Sequence, residues 1–244
     1  MPLRVDDSRA GSHAASVAAV MRTLRAAVRA HDEPVVEQIA ERYDPFPVLI
    51  ATMLSAQTRD AVTDVATARL FRRARTPRSM AKLSTREIRK LIYPVSFYRT
   101  KAVHVKAACE MLVTRFGGSV PDTMAELLTL PGVGRKTANL VLILSHRSKR
   151  NICVDTHVHR ISNRLGWVRT KTPEQTERAL YRVAAQKWWP DINLYLVTWG
   201  QNICRPVYPL CGRCAVRDLC PKIGVEKIGK SGPSRSQQRQ GKRT

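Results

Sequence analysis

Between residues 204 and 220 the sequence reads CRPVYPLCGRCAVRDLC, and four of the chain's six cysteines stand in it. A segment that short has no room for an apolar core of its own, so its thiols decide how it can fold. The spacing is Cys-x6-Cys-x2-Cys-x5-Cys, formed by Cys204, Cys211, Cys214 and Cys220. Structural zinc sites usually pair two knuckles, whereas a single Cys-x-x-Cys is flanked here by two lone cysteines. Four thiolates suit either zinc or a [4Fe–4S] cluster. Disulfides are the weaker reading. A chain of 244 residues is no small secreted framework, and a reducing cytoplasm is the expected setting.

Everything upstream of that segment points to helices. Ser84 with Glu87, and Thr172 with Gln175 behind Pro173, fit capping boxes. Asp32 and Pro34 are placed to open "VVEQIAERY", and Asp122 to open "TMAELLTL". In "AVHVKAACEMLVTRF" the residues Ala102, Val105, Cys109, Leu112, Val113 and Phe116 share one face at helical spacing. Strand-like alternation is almost absent, and "NICV" is too short to build a sheet. The expected fold class is all-α with short loops. Cys109 and Cys153 read as small buried apolar residues. No apolar run is long enough to cross a membrane, and the first thirty residues carry no apolar signal core.

"LTLPGVGRKTANLVLIL", residues 128–144, is the most informative stretch. One helix stops at Pro131 and another begins near Arg135, with Gly132, Val133 and Gly134 between them. The two glycines accept positive φ and leave the backbone bare, which makes a sharp turn. Bare N–H groups at a helix start form an anion site, suited to a DNA phosphate; an ordinary helical hairpin is the alternative. Lys136 falls in the first turn, where the helix dipole opposes a positive charge, and partial burial would push the same way toward a neutral, nucleophilic amine. A solvated or phosphate-binding lysine is the plainer reading. Asp155, in "CVDTHVHRI", reads first as an N-cap. Its other possible use is to stabilise positive charge growing on a sugar as a glycosidic bond breaks.

Charge narrows the partner. Forty-two Lys and Arg stand against nineteen Asp and Glu, a net +23, and only +6 of it belongs to the polar stretch 222–244. The folded part is therefore itself strongly basic, as a nucleic-acid-binding protein would be.

Taken in order, "MLSAQTRD" (53–60), "IYPVSFYRTKA" (92–102), "LPGVGRKTA" (130–138), "VDTHVHRI" (154–161) and the closing cysteines resemble the endonuclease III group of helix-hairpin-helix DNA glycosylases. The resemblance covers roughly residues 15 to 221. It implies a two-lobed fold, a six-helix barrel domain carrying the hairpin beside a helical iron–sulfur domain, with the active cleft between them. The expected boundaries are a flexible extension at 1–14, an iron–sulfur domain from 15–37 and 149–221, a barrel from 38–148, and a disordered basic tail at 222–244. It implies a [4Fe–4S] cluster on the four cysteines. It also implies chemistry on damaged double-stranded DNA. An oxidised pyrimidine is flipped out, Lys136 attacks the sugar C1′ as the base leaves, the Schiff base undergoes β-elimination, and Asp155 assists.

Gln57 matches the family residue that enters the gap left by the flipped base. Phe97 aligns where many relatives place a leucine wedge, a known way to hold open a base step; the competing reading packs it in the core beside Tyr93 and Tyr98. Gly132, Val133, Gly134 and Arg135 are expected at the DNA backbone, with Arg205, Arg213 and Arg217 held against phosphates by the cysteine loop. A monomer, cytoplasmic and nucleoid-associated, is expected. Three other functions compete: a monofunctional adenine or mismatch glycosylase, a non-catalytic metal-containing DNA-binding protein, and a redox protein built around the cluster. Lys136 and the short stretch after Cys220 count against the first. The second predicts zinc and no excision. The third explains neither the charge nor Lys136 with Asp155.

Overall fold

A computed structural model describes residues 15–40 and 44–229. The expected 1–14 extension, the end of "VVEQIAERY" and the tail from 230 onward lie outside the described residues. Among those described, every regular element is helical. The chain divides into two packing units. The larger holds the described part of Asp32–Cys153 together with Gln186–Leu194, and the smaller holds Val154–Ala185 with the described parts of Met1–His31 and Tyr195–Thr244. The larger unit thus starts six residues before the expected position 38, runs five past 148, and takes in a segment assigned by sequence to the iron–sulfur domain.

The smaller unit opens with α1 (Val17–Ala27), capped by Ser16. The larger then supplies α2 (Val35–Ala40), α3 (Pro45–Ser55), α4 (Asp60–Arg73), α5 (Pro77–Ala81), α6 (Thr85–Ile92), α7 (Tyr98–Arg115), α8 (Met124–Leu127) and α9 (Arg135–Leu144). The chain continues through α10 (Thr156–Arg164), α11 (Pro173–Val183) and α12 (Trp189–Asn202), and the division between units falls inside α12.

Local chemistry explains most helix ends. The Ser84 hydroxyl accepts from the Glu87 N–H while the Glu87 carboxylate accepts from the Ser84 N–H, closing the expected box. The second box does not close. Thr172 caps α11, with Pro173 in its first turn, but the Gln175 side chain accepts from the Lys171 N–H instead. Nor does Asp122 open the next helix: Thr123 caps α8, which is a single turn. In α7 the buried residues Ala102, Val105, Cys109 and Leu112 share the expected face, Ala108 joins them, and Val113 and Phe116 lie at its margin. Cys109 and Cys153 are both fully buried.

One apolar core fills the larger unit, from Val48, Leu49, Ile50 and Leu54 on α3 through Ile88, Val105 and Leu112 to Ala138 and Val141 on α9. It is what holds the two turns and the hairpin described next.

Candidate active site and cysteine centre

The hairpin before α9 is built by one glycine more than the other. Gly132 stands at φ +78, and a Cβ there would come within 2.7 Å of the His104 Cβ, so backbone strain and steric closeness both demand glycine. Gly134, the N-cap of α9, is at φ −99 and has open space around it, so the expected positive φ holds for Gly132 alone. Val133 also departs from expectation. Its side chain is buried and its N–H donates to the Leu130 carbonyl at 3.1 Å, so neither is turned to a phosphate. Gly132, Gly134, Arg135 and Lys136 are exposed. No side chain caps α9 and no acid occupies its first turn, which leaves the positive end of the helix open to an anion. Lys136 is exposed, as the plainer of its two readings has it, and its carbonyl accepts from the buried Cys153 thiol at 3.5 Å.

Two further turns of the larger unit present the residues expected to fill a gap in DNA. Gln57 and Phe97 are both exposed and both sit at φ +55, a conformation that non-glycine residues adopt rarely. Phe97 is 66% exposed, whereas Tyr93 and Tyr98 meet each other edge to face at 5.3 Å, so the core alternative for Phe97 does not hold. Sequence reasoning passed over Lys101 and Thr58. The Lys101 ammonium donates to the carbonyls of Leu54 (2.7 Å) and Ala56 (2.5 Å) and to the Thr58 hydroxyl (3.2 Å). Burial first, and the charge of Lys136 second, bring Lys101 down to about 8. Lys101 lies within IYPVSFYRTKA, where nothing local in the sequence marks a lysine as turned inward.

In the smaller unit, Asp155 is the N-cap of α10. Its Oδ1 accepts from the N–H groups of His157 at 2.8 Å and Val158 at 2.9 Å. The cap reading is therefore realised, and both bonds fall on one oxygen of a half-buried carboxylate.

The four clustered cysteines of the same unit line one cavity with Arg164, Ile203, Pro209, Arg217 and Val225. All are free thiols. Two of them accept hydrogen bonds: the buried Arg164 guanidinium donates to Cys204 Sγ at 3.4 Å, and the Trp199 indole N–H to Cys214 Sγ at 3.4 Å. Burial pushes the Cys214 and Cys220 thiols up. Among the described residues, no three His, Cys, Asp or Glu side chains close on a point tightly enough to hold a single metal ion. Arg205, Arg213 and Arg217 are exposed around this loop, and Arg217 also pairs with Asp218 at 3.4 Å. Residues 222–229, assigned by sequence to the tail, are instead tied in: Ile223 N–H donates to the Arg164 carbonyl and Gly229 N–H to that of Pro209.

Comparison with known proteins places these features in a family. A model described as HhH-GPD superfamily base excision DNA repair protein matches residues 50–186. The chain is 49% identical over 177 residues to an endonuclease III of Thermotoga maritima, spanning 72% of this chain and 83% of that one. It is 40% identical over 212 residues to the endonuclease III-like protein 1 of Gallus gallus, spanning 82% and 75%. Among solved structures, a non-covalent endonuclease III–DNA complex aligns with a TM-score of 0.76 at 32% identity, covering 84% of this chain and 94% of that one. A trapped covalent endonuclease III–DNA intermediate aligns with a TM-score of 0.69 at 36% identity, covering 73% and 84%. With helices alone, an uncapped glycine hairpin ahead of Lys136 and a four-cysteine loop, the chain belongs to the endonuclease III branch of the HhH-GPD superfamily.

Proposed function

We propose that this protein is a bifunctional DNA glycosylase and abasic-site lyase of base excision repair, acting on oxidised pyrimidines in duplex DNA. The observation that carries the reading is Lys136, an exposed amine in the first turn of an uncapped helix directly after Pro-Gly-Val-Gly, in a chain aligned with a trapped covalent enzyme–DNA intermediate. A nucleophilic amine there displaces the base from the sugar C1′, forms a Schiff base, and leaves a nicked strand after β-elimination. The Asp155 carboxylate stabilises positive charge as the glycosidic bond breaks. The open end of α9 holds a phosphate without reading sequence. Gln57 and Phe97 fill the space left by the flipped nucleotide.

Cys204, Cys211, Cys214 and Cys220 would hold a [4Fe–4S] cluster. Four thiols lining one cavity, two of them accepting hydrogen bonds from Arg164 and Trp199, are a donor set that fits such a cluster. When bound, the cluster supplies folding energy to a loop with little apolar core. Arg205, Arg213 and Arg217 would then meet backbone phosphates. Protein purified in air should be brown with about four irons per chain; colourless protein with stoichiometric zinc, even after anaerobic preparation, refutes this.

The decisive test of the enzyme reading is borohydride trapping on a thymine-glycol duplex. Wild-type protein forms a covalent adduct, and Lys136→Gln forms none while still binding duplex DNA. An undiminished adduct in the variant moves the nucleophile elsewhere.

A further inference from the structure

Gln57 and Phe97 belong to different turns, forty residues apart, yet the two turns are tied together by a small polar node. Thr58 follows Gln57 directly, and its hydroxyl accepts from the Ser96 N–H at 3.2 Å, next to Phe97. The same oxygen accepts from Lys101 at 3.2 Å and donates to the Ala56 carbonyl at 3.3 Å. One donor and two acceptor sites are all that a hydroxyl has, so this one is fully used. Lys101 binds both turns as well. Its backbone N–H donates to the Phe97 carbonyl at 2.9 Å, while its ammonium reaches the carbonyls of Leu54 and Ala56 on the way into Gln57. Arg69 adds a further strap to the second turn by donating to the Tyr93 carbonyl.

Both turns hold their tip residue at φ +55, and such conformations persist only where the surroundings over-determine them. Each tip side chain is exposed, and the backbone of its turn sets where its Cα–Cβ bond points. The node fixes that backbone on both sides at once. Two loose tips would each have to find the gap in the DNA independently; two tips on one braced frame enter it together, with the ordering already done before binding.

We propose that Thr58 and Lys101 are positioning residues that brace the Gln57 and Phe97 turns into one preset pair, so that both side chains enter the gap beside a flipped nucleotide as a unit. This deepens the reading above, and rests on it for the role of the two tips. Neither brace touches the reacting atoms.

The test uses the full chain and a duplex carrying a tetrahydrofuran abasic analogue opposite 2-aminopurine, whose fluorescence reports entry into the gap. Thr58→Val should cut the lesion-dependent signal at least five-fold, leave affinity for undamaged duplex unchanged, and shift the melting temperature little. Thr58→Ser, which keeps the hydroxyl, should restore the signal. The same substitution is then made in a Gln57→Ala/Phe97→Ala background. A brace acting through the tips has no further effect once they are gone, so its five-fold loss should vanish there. A wild-type signal in Thr58→Val, or a loss that persists undiminished without the tips, overturns the proposal. Should Thr58→Val fold poorly, Lys101→Met carries the same cycle, with the same outcomes. The enzyme reading is checked separately by borohydride trapping of the wild-type protein: no adduct sinks that reading, whereas an adduct with no coupling sinks only the brace.

Discussion

The core of the larger unit and the closing loop of the smaller one are held by opposite means. Around α3, α7 and α9 the fold rests on fully buried aliphatic side chains such as Leu49, Ile50, Leu54, Val105 and Leu112. Between residues 203 and 229 the apolar residues mostly face outward: Val207, Tyr208, Leu219, Ile223 and Ile228 are exposed, and Ile203 and Val216 are the buried exceptions, with Pro209. That loop is secured by backbone hydrogen bonds and by Arg164 reaching the carbonyls of Arg205 and Pro206, around a cavity lined by four thiols. The difference teaches where each region can be broken. The first fails by losing volume; the second fails by losing a hydrogen-bond donor or, on the cluster reading proposed above, a thiolate ligand.

The largest effect should come from the loop. If the cysteines hold the cluster proposed above, Cys214→Ser should empty the centre of iron and open residues 203–229 to proteolysis, while amide hydrogens on α3, α7 and α9 stay protected. Loss of protection in those helices as well would show that the two regions are one cooperative block.

Next in size is a cut in the core. Leu112→Ala should cost about 2–5 kcal/mol of stability, measured by denaturant unfolding, with iron content per folded molecule unchanged. Iron lost in proportion would tie the centre to the core and blur the contrast.

The smallest effect sharpens the picture of the larger unit through Glu37, a strongly shifted carboxylate. Burial, reinforced by Glu33 and Asp191, raises Glu37 from 4.5 to about 7. Between those values the folded protein binds the proton more tightly than the unfolded chain, so the stability Glu37 contributes is present below about 4.5 and lost as pH rises through 7. Glu37→Gln mimics the protonated form. It should come close to wild type near pH 4.5 and exceed it by roughly 3 kcal/mol at pH 8. A pH-independent difference would remove burial as the cause.

Sequence reading reached features whose signal is local. Ser84 and Glu87 are three residues apart, and so the box they form is visible before any fold is known. The start of α9, the place of Lys136 in its first turn and the grouped cysteines were legible for the same reason. Gln57 and Phe97 came through family resemblance, and the exposure of Phe97 separates it from its two tyrosine neighbours. The rest depended on distance along the chain. Thr58 meets Lys101 across 43 positions, and a threonine and a lysine in a basic chain announce nothing about each other. Val133 looked available because the turn was read as backbone alone, whereas packing takes its side chain and Leu130 takes its N–H. Residues 222–229 have the composition of a tail, and main-chain bonds to Arg164 and Pro209, which composition does not encode, hold them in place.

Gly132 bears on how this hairpin can change over generations. Two independent barriers meet there, a left-handed backbone and a His104 side chain occupying the space of any added carbon. A substitution at Gly132 alone meets both at once. Shrinking His104 first removes one barrier and leaves the other standing. The order of mutations therefore matters, and no order makes the step free. A lineage that drifts at residue 104 gains room beside the hairpin without gaining liberty in it, so the turn that carries Lys136 is anchored to a helix position 28 residues earlier in the chain.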